Sequence, residues 1–511
     1  MKNINPLLKM DFPDPDVIRV NDTYYMVSTT MHFFPGCVIL RSYDLVHWEV
    51  ATHVYEHLDD TDKQRLIGEN QCYGQGMWAA SLRYHNGLFY VVFVANDTHQ
   101  SYVYTAREIE GEWQRHEIKG FYHDCSLFFD DDESVYLVYG NKHIYLTQMK
   151  PDLSEPLPGG LHRMIISDEG NPNLGYEGSH MYKINGKYYV FLIHSRRDRW
   201  MRTEACFAAD SLDGEFVGRD VLEDDMGYCE QGVAQGGIVD TPDGEWCAIL
   251  FQDRGAVGRI PVLVPVHWEN DFPVFGEKGK IPAEFSVKAT RGNYSYAPLY
   301  GSDNFSYQPD VDGKVHLKNF WQFNHTPNDT LWGIEKDQFW IRTGKLCNNL
   351  ILAQNTLTQR LVYPKSDVAV TLDFSELQEG DYAGLCALQS CYGMVAVKIE
   401  SGKPYLVMGA REAETEAMMP MEIRNEKSVE YEQILLTGTR IRLRMETDFT
   451  RMKDVVQFSY VTEEGNKPIG PVHKLYFKLD HFCGCRVGLF AFSTKQTGGR
   501  AKFEDFEFMT E

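Results

Sequence analysis

The phrase VIRVNDTYYMVST, from Val17 to Thr29, joins two apolar-rich runs through Asn21-Asp22, and the pattern returns four times. It reads SLRYHNGLFYVVFV from Ser81, SLFFDDDESVYLVYG from Ser126, HMYKINGKYYVFLI from His180 and GIVDTPDGEWCAILF from Gly237. Each copy is a β-hairpin signature, two β-rich runs around a tight Asn/Asp/Gly turn. Anchored on Tyr25, Tyr90, Tyr136, Tyr189 and Trp246, the copies recur every 46 to 65 residues. Further strand-like runs such as CVILRSYDLVHWEV fill the intervals, enough for a four-stranded blade and its loops. Five such units predict a five-bladed β-propeller, an architecture that leaves only short, protected sheet edges. A sandwich also contains hairpins, but it does not repeat one phrase at this interval.

The repeat predicts where the chemistry lies. Counting back to the residue just before each first strand gives Asp14, Trp78, Asp124, Glu177 and Gln235. If that strand is the innermost one, pseudo-fivefold geometry gathers these residues around one mouth of the central channel. Close carboxylates separate in pKa, because the charge of one opposes ionisation of the next. Glycoside hydrolysis uses that split, with a protonated acid for the leaving oxygen and an ionised base for water. The tryptophan supplies a flat apolar face for a sugar ring. A metal site is the competing use of three carboxylates, but it would want more oxygen ligands or histidine.

Composition narrows the partners. A formal net charge of -23 argues against nucleic acid, because phosphate contacts need clustered Lys and Arg. No apolar run approaches the ~20 residues of a membrane span. The opening Met1-Lys2-Asn3-Ile4-Asn5-Pro6 has no apolar core of a signal peptide. The 11 cysteines are scattered, several inside strand-like runs, as reduced core residues are. Cys483 and Cys485 have no partner pair at zinc-site spacing. Together these features predict a cytoplasmic protein; they leave the oligomeric state open.

The motifs resemble those of glycoside hydrolase family 43. Asp11-Phe12-Pro13-Asp14-Pro15-Asp16 is similar to the family's opening segment, whose aspartate is the general base. Asp124-Cys125-Ser126-Leu127-Phe128 resembles the segment whose aspartate modulates the pKa of the acid, and Glu177-Gly178-Ser179-His180 the one that carries the general acid. Gly76-Met77-Trp78-Ala79-Ala80 resembles the segment with the substrate-facing tryptophan, and Val257-Gly258-Arg259 the one whose arginine reaches sugar hydroxyls. The resemblance also implies an aromatic loop lining the sugar subsite, which falls on His32-Phe33-Phe34-Pro35, with His32 and Phe34 as candidate contacts. The sequence departs from the family at Gln235, where many relatives carry a histidine that helps hold a calcium ion or water. No cofactor is required on this reading, and a structural or active-site calcium at Gln235 is left open.

After Phe275 the phrase stops. Residues 1–290 are read as the propeller and 291–310 as a connector. Alternating runs such as DVAVTLDF, GMVAVKIE and RVGLFAFS predict a β-sandwich over 311–511. Trp321-Gln322-Phe323-Asn324-His325 resembles the opening of the concanavalin-like domain found in some family members. The expected function is therefore an inverting, exo-acting glycosidase that takes terminal α-L-arabinofuranose, or β-D-xylose, from small arabinoxylan-derived oligosaccharides. The alternatives are an enzyme that is mainly a β-xylosidase, a carbohydrate-binding propeller without catalysis, and a metal-dependent hydrolase.

Overall fold

The computed structural model describes residues 2–511 and is all-β, with three short 3-10 turns among the described residues. Five four-stranded antiparallel sheets follow one another in the chain, and in each the strands are ordered as they occur in sequence. The first strands of the blades are Asp16–Val20, Met77–His85, Ser126–Phe129, Glu177–Ile184 and Val233–Asp240. Turn chemistry sets the hairpins that the repeat phrase announced. Asn86-Gly87 and Asn185-Gly186 take positive φ at both positions, the geometry whose twist matches antiparallel strands. The outermost strands of the second, third and fourth blades, Gln114–Ile118, His162–Ser167 and Val217–Leu222, are mostly exposed.

The blades close on themselves through apolar seams and through hydrogen bonds between neighbouring first strands. Val27 and Ile39 of the first blade pack with Leu82 and Phe93 of the second, and Val92 and Val103 of the second with Leu127 and Leu137 of the third. Equivalent seams follow around the ring, ending with Ile249 and Leu263 of the fifth blade against Met26 and Leu40 of the first. Between first strands, Leu82 N donates to Asp16 Oδ2 (2.8 Å), Leu127 N to Ser81 Oγ (3.0 Å) and Met181 N to Ser126 Oγ (2.9 Å). Ile238 N donates to Tyr182 Oη (3.0 Å), and Gly237 N closes the circle on the Pro15 carbonyl (3.2 Å).

The C-terminal part is a two-sheet sandwich. One sheet has seven strands; the other has eight, and its outermost strand is Phe33–Phe34 from the propeller. Phe34 pairs with Phe323 and Phe33 with Asn324, so a loop of the first blade completes a sheet of the sandwich. The chain between the two crosses the first blade, where Tyr294 Oη (2.5 Å) and Ala297 N (2.7 Å) both donate to Glu49. A single apolar core runs from Met10, Phe12 and Val257 into Trp321, Leu385 and Leu489.

Asp11 knits this junction. Its Oδ1 accepts from Arg259 N (2.7 Å) and its Oδ2 from Gly484 N (2.9 Å), while Arg360 Nε donates to its carbonyl (2.7 Å). Asp11→Asn keeps the shape but turns one acceptor into a donor that faces a buried N–H. That should cost about 1–3 kcal/mol, read as a lower denaturant midpoint in one transition that tryptophan fluorescence and far-UV dichroism report together.

Candidate active site

The site grows out of strand register. Asp16, Ser81, Ser126, His180 and Gly237 hold equivalent places in the first strands, opposite Val27, Val92, Val138, Phe191 and Ile249. Two residues earlier stand Asp14, Ala79, Asp124, Gly178 and Gln235. All five have φ between 24° and 63°, the left-handed region. At this level the backbone bends away from the ladder at bulges following Trp78, Glu177 and Ala234. Asp14, Asp124, Gly178, Gln235 and His180 line one depression at the channel mouth.

This refines the sequence alignment. Asp14, Asp124 and Gln235 are equivalent, as read. Trp78 and Glu177 sit one residue earlier, at the level of His123, because the count of twelve that reaches Asp124 from Tyr136 belongs to the third blade alone, and the other four blades count eleven. The side chains still converge. His123 Nε2 is 3.7 Å from Asp124 Oδ2 and 3.7 Å from Glu177 Oε2. Asn141 Nδ2 donates to Glu177 Oε2 (2.5 Å). Both oxygens of Asp14 are held, Oδ1 by Arg259 Nη1 (2.8 Å) and Oδ2 by Thr29 Oγ1 (2.7 Å), and Ala79 N donates to that same Thr29 oxygen (2.8 Å). Burial pushes the Asp124 carboxyl above the usual carboxylate range against the pull of His123, and the charges of Glu177 and Asp14 add to the rise. His123 moves up to about 9, driven first by the Asp124 charge.

The sandwich supplies one wall. Phe482 lies 5.3 Å from the Trp78 ring, and the Arg259 guanidinium is 4.6 Å above its face and donates from Nη2 to its carbonyl (3.2 Å). Phe482 was illegible in the sequence because it stands outside the repeat, and Thr29 and Asn141, at the ends of the first and third hairpins, carry no catalytic signature of their own. His123 was legible in principle, one residue before Asp124 and just ahead of the third repeat.

Two expected contacts are corrected. His32 has no exposed surface; it lies at the domain seam, 5.1 Å from the rings of both His325 and His481, with both ring nitrogens unpartnered. Phe34 packs on Tyr55 (6.0 Å) within the core shared by the first two blades. Strand pairing with Gln322–Asn324 draws this loop into the sandwich, away from the channel mouth. His32, His481 and Cys483 bring ligating atoms within 4.8 Å of one another, a nitrogen and sulfur set unsuited to calcium. Around Gln235, both oxygens of Asp14 are engaged and the Arg259 cation is adjacent. That surrounding fits poorly a calcium ion, which takes about six to eight oxygens.

A closed five-bladed propeller carrying three converging carboxylates, an arginine and a tryptophan at one channel mouth is the layout of a glycoside hydrolase. The profile described as Glycosyl hydrolases family 43 matches residues 4–273, and that of the beta xylosidase C-terminal concanavalin A-like domain matches 313–509; the chain belongs to glycosyl hydrolase family 43. It is 25% identical to a β-xylosidase of Formosa agariphila over 99% of this chain and 90% of that one. It is 29% identical to a non-reducing-end α-L-arabinofuranosidase of Bacteroides ovatus over 65% of this chain and 62% of the other. Among solved structures, a bifunctional protein of Bacteroides eggerthii that pairs a family 43 unit with a second unit superposes with a TM-score of 0.90 at 39% identity, covering all of this chain and 64% of that longer one. The protein is therefore an enzyme with a carbohydrate substrate.

The scaffold beneath the ring is testable through Asp16, which has no exposed surface and pairs with Arg83 (2.6 Å) and His180 (3.2 Å). Burial works to raise its pKa, but Arg83 and His180 outweigh it and hold the carboxyl near 2, below its ordinary 3.8. A depressed pKa contributes stability that is present above pH 3.8 and lost as pH falls through about 2. The shift corresponds to about 2 kcal/mol. Asp16→Asn should be less stable than wild type at pH 7, and denaturant titrations should show the gap closing between pH 4 and pH 2.

Proposed function

We propose that the protein is an inverting, exo-acting pentosidase that releases terminal α-L-arabinofuranose from arabinoxylan-derived oligosaccharides. The observation that carries this reading is the convergence of Asp14, Asp124 and Glu177 from three separate blades on one channel mouth. Asp14 takes a proton from the attacking water, and Glu177 gives its proton to the leaving oxygen. Water attacks the anomeric carbon from the face opposite the leaving sugar, so the configuration inverts. Asp124 tunes the pair electrostatically. Arg259 and Thr29 fix the orientation of Asp14. Trp78 and Arg259 form walls for the terminal sugar, with Gln235 at its base, and Phe482 closes one side, which supports attack at chain ends.

A second reading, mainly β-xylosidase, is favoured by the similarity to the Formosa agariphila β-xylosidase along nearly the whole chain. Turnover of nitrophenyl α-L-arabinofuranoside against β-D-xyloside ranks the two, and no turnover of either would sink both. All the cysteines are free, ten of them buried and Cys229 exposed. That supports a reducing compartment, and we assign the enzyme to the cytoplasm, acting on imported oligosaccharides.

The division of labour has its own test. Glu177→Gln should lower kcat on natural oligosaccharides by about 10²–10⁴-fold and spare activated aryl glycosides, which need little protonation. Asp14→Asn should damage both substrates alike, since water activation is common to them. Proton NMR of the first product formed should show inverted anomeric configuration; retention would exclude Asp14 as base. Equal losses on both substrates for Glu177→Gln would exclude Glu177 as the acid.

A further inference from the structure

His123 stands where the repeat elsewhere puts Trp78 and Glu177, at the level just outside the ring of left-handed residues. Its Nε2 is buried without a hydrogen-bond partner, equidistant at 3.7 Å from one oxygen of Asp124 and one of Glu177. The charged groups that act on it are Asp124, its chain neighbour, Glu177 on the next blade and Asp14 across the axis. All are acidic. The Arg259 cation is committed to Asp14 by a 2.8 Å hydrogen bond, so the Asp124–Glu177 side of the channel needs its own positive charge. An imidazolium at that position faces both carboxylates and lowers the cost of holding charge on either of them in a partly desolvated mouth.

We propose that His123 is a positioning residue of the hydrolytic site, an imidazolium counter-charge placed between Asp124 and Glu177 that sets the pH range over which the pair holds a single proton. The inference rests on the proposed glycosidase mechanism for its kinetic consequence, though not for the charge state itself. The site then pairs each acid with a cation: Asp14 with Arg259, and the Asp124–Glu177 pair with His123. The upward shift of His123, to about 9, agrees with that pairing.

Two measurements test it. In the wild-type protein, the imidazole carbon-bound proton of His123, assigned by its loss in His123→Gln, should titrate near pH 9 in NMR. Titration below pH 7 would overturn the proposal. Glutamine keeps an N–H donor at the end of the side chain and removes the charge. Without the cation the Asp124–Glu177 pair gives up its protons less readily, so the limbs of kcat/KM against pH that report the pair should move upward by about one unit or more. A profile that falls in height with its limbs unmoved would reduce His123 to a steric or hydrogen-bonding part and overturn the counter-charge. The NMR titration needs no turnover. Failure of the pentosidase reading, seen as inactive wild type with His123 still titrating high, is therefore distinguishable and leaves the counter-charge supported.

Discussion

The closed ring depends on the carboxylate of Asp16. It accepts from the backbone of the second blade at Leu82, pairs with Arg83 of the same blade and meets His180 of the fourth. Gly237 of the fifth blade lies so close that a Cβ there would come within 2.7 Å of Asp16 Oδ1. One buried charge thus touches four of the five blades. A buried carboxylate is tolerable only when its oxygens are fully engaged, and here the partners are the innermost strands themselves. The depth at which those strands meet fixes the height of everything two residues above. Asp14 and Asp124 stand there, so the chemistry inherits its geometry from a residue that never meets the substrate.

The mouth is also where the backbone is least comfortable. Asp14, Ala79, Asp124 and Gln235 adopt left-handed conformations that cost a side-chain-bearing residue energy, and at the fifth place Gly178 avoids the cost. The glycine also leaves room for its neighbour: a Cβ there would lie 2.7 Å from the Gln235 side chain, which would have to move. Gln235 N in turn donates to Glu204 (2.7 Å), a fully buried acid whose other oxygen has no partner. Turning outward at this level aims side chains at the channel rather than along the sheet.

Much of this was legible in the sequence because a propeller writes its period into the chain. The hairpin phrase gave the blades, and counting back from its aromatics reached Asp14, Asp124, Glu177 and Trp78. The one-residue offset of Glu177 and Trp78 was hidden, because the third hairpin is one residue longer before its anchor and its count does not carry over to the second and fourth blades. His32 and Phe34 were misplaced for a different reason. Their surroundings come from Gln322–Asn324 by strand pairing and from His481 by ring contact, residues far along the chain that local pattern does not encode. Phe482 was missed on the same account. The alternation after residue 311 announced strands but not the edge that the propeller supplies.

That borrowed edge bears on how the chain assembles as it is made. Phe33–Phe34 leaves the ribosome early, and its partner Gln322–Asn324 is synthesised some 287 residues later, Gln322 ending hydrogen-bonded to the Pro35 carbonyl. Domains tend to fold in order of synthesis, so the first blade would present a short open strand while the sandwich was still unmade. On that order the finished propeller would serve as a template for the edge of a sheet whose other strands have yet to appear. The order of synthesis thereby builds the active-site wall last, once the ring it closes is already complete.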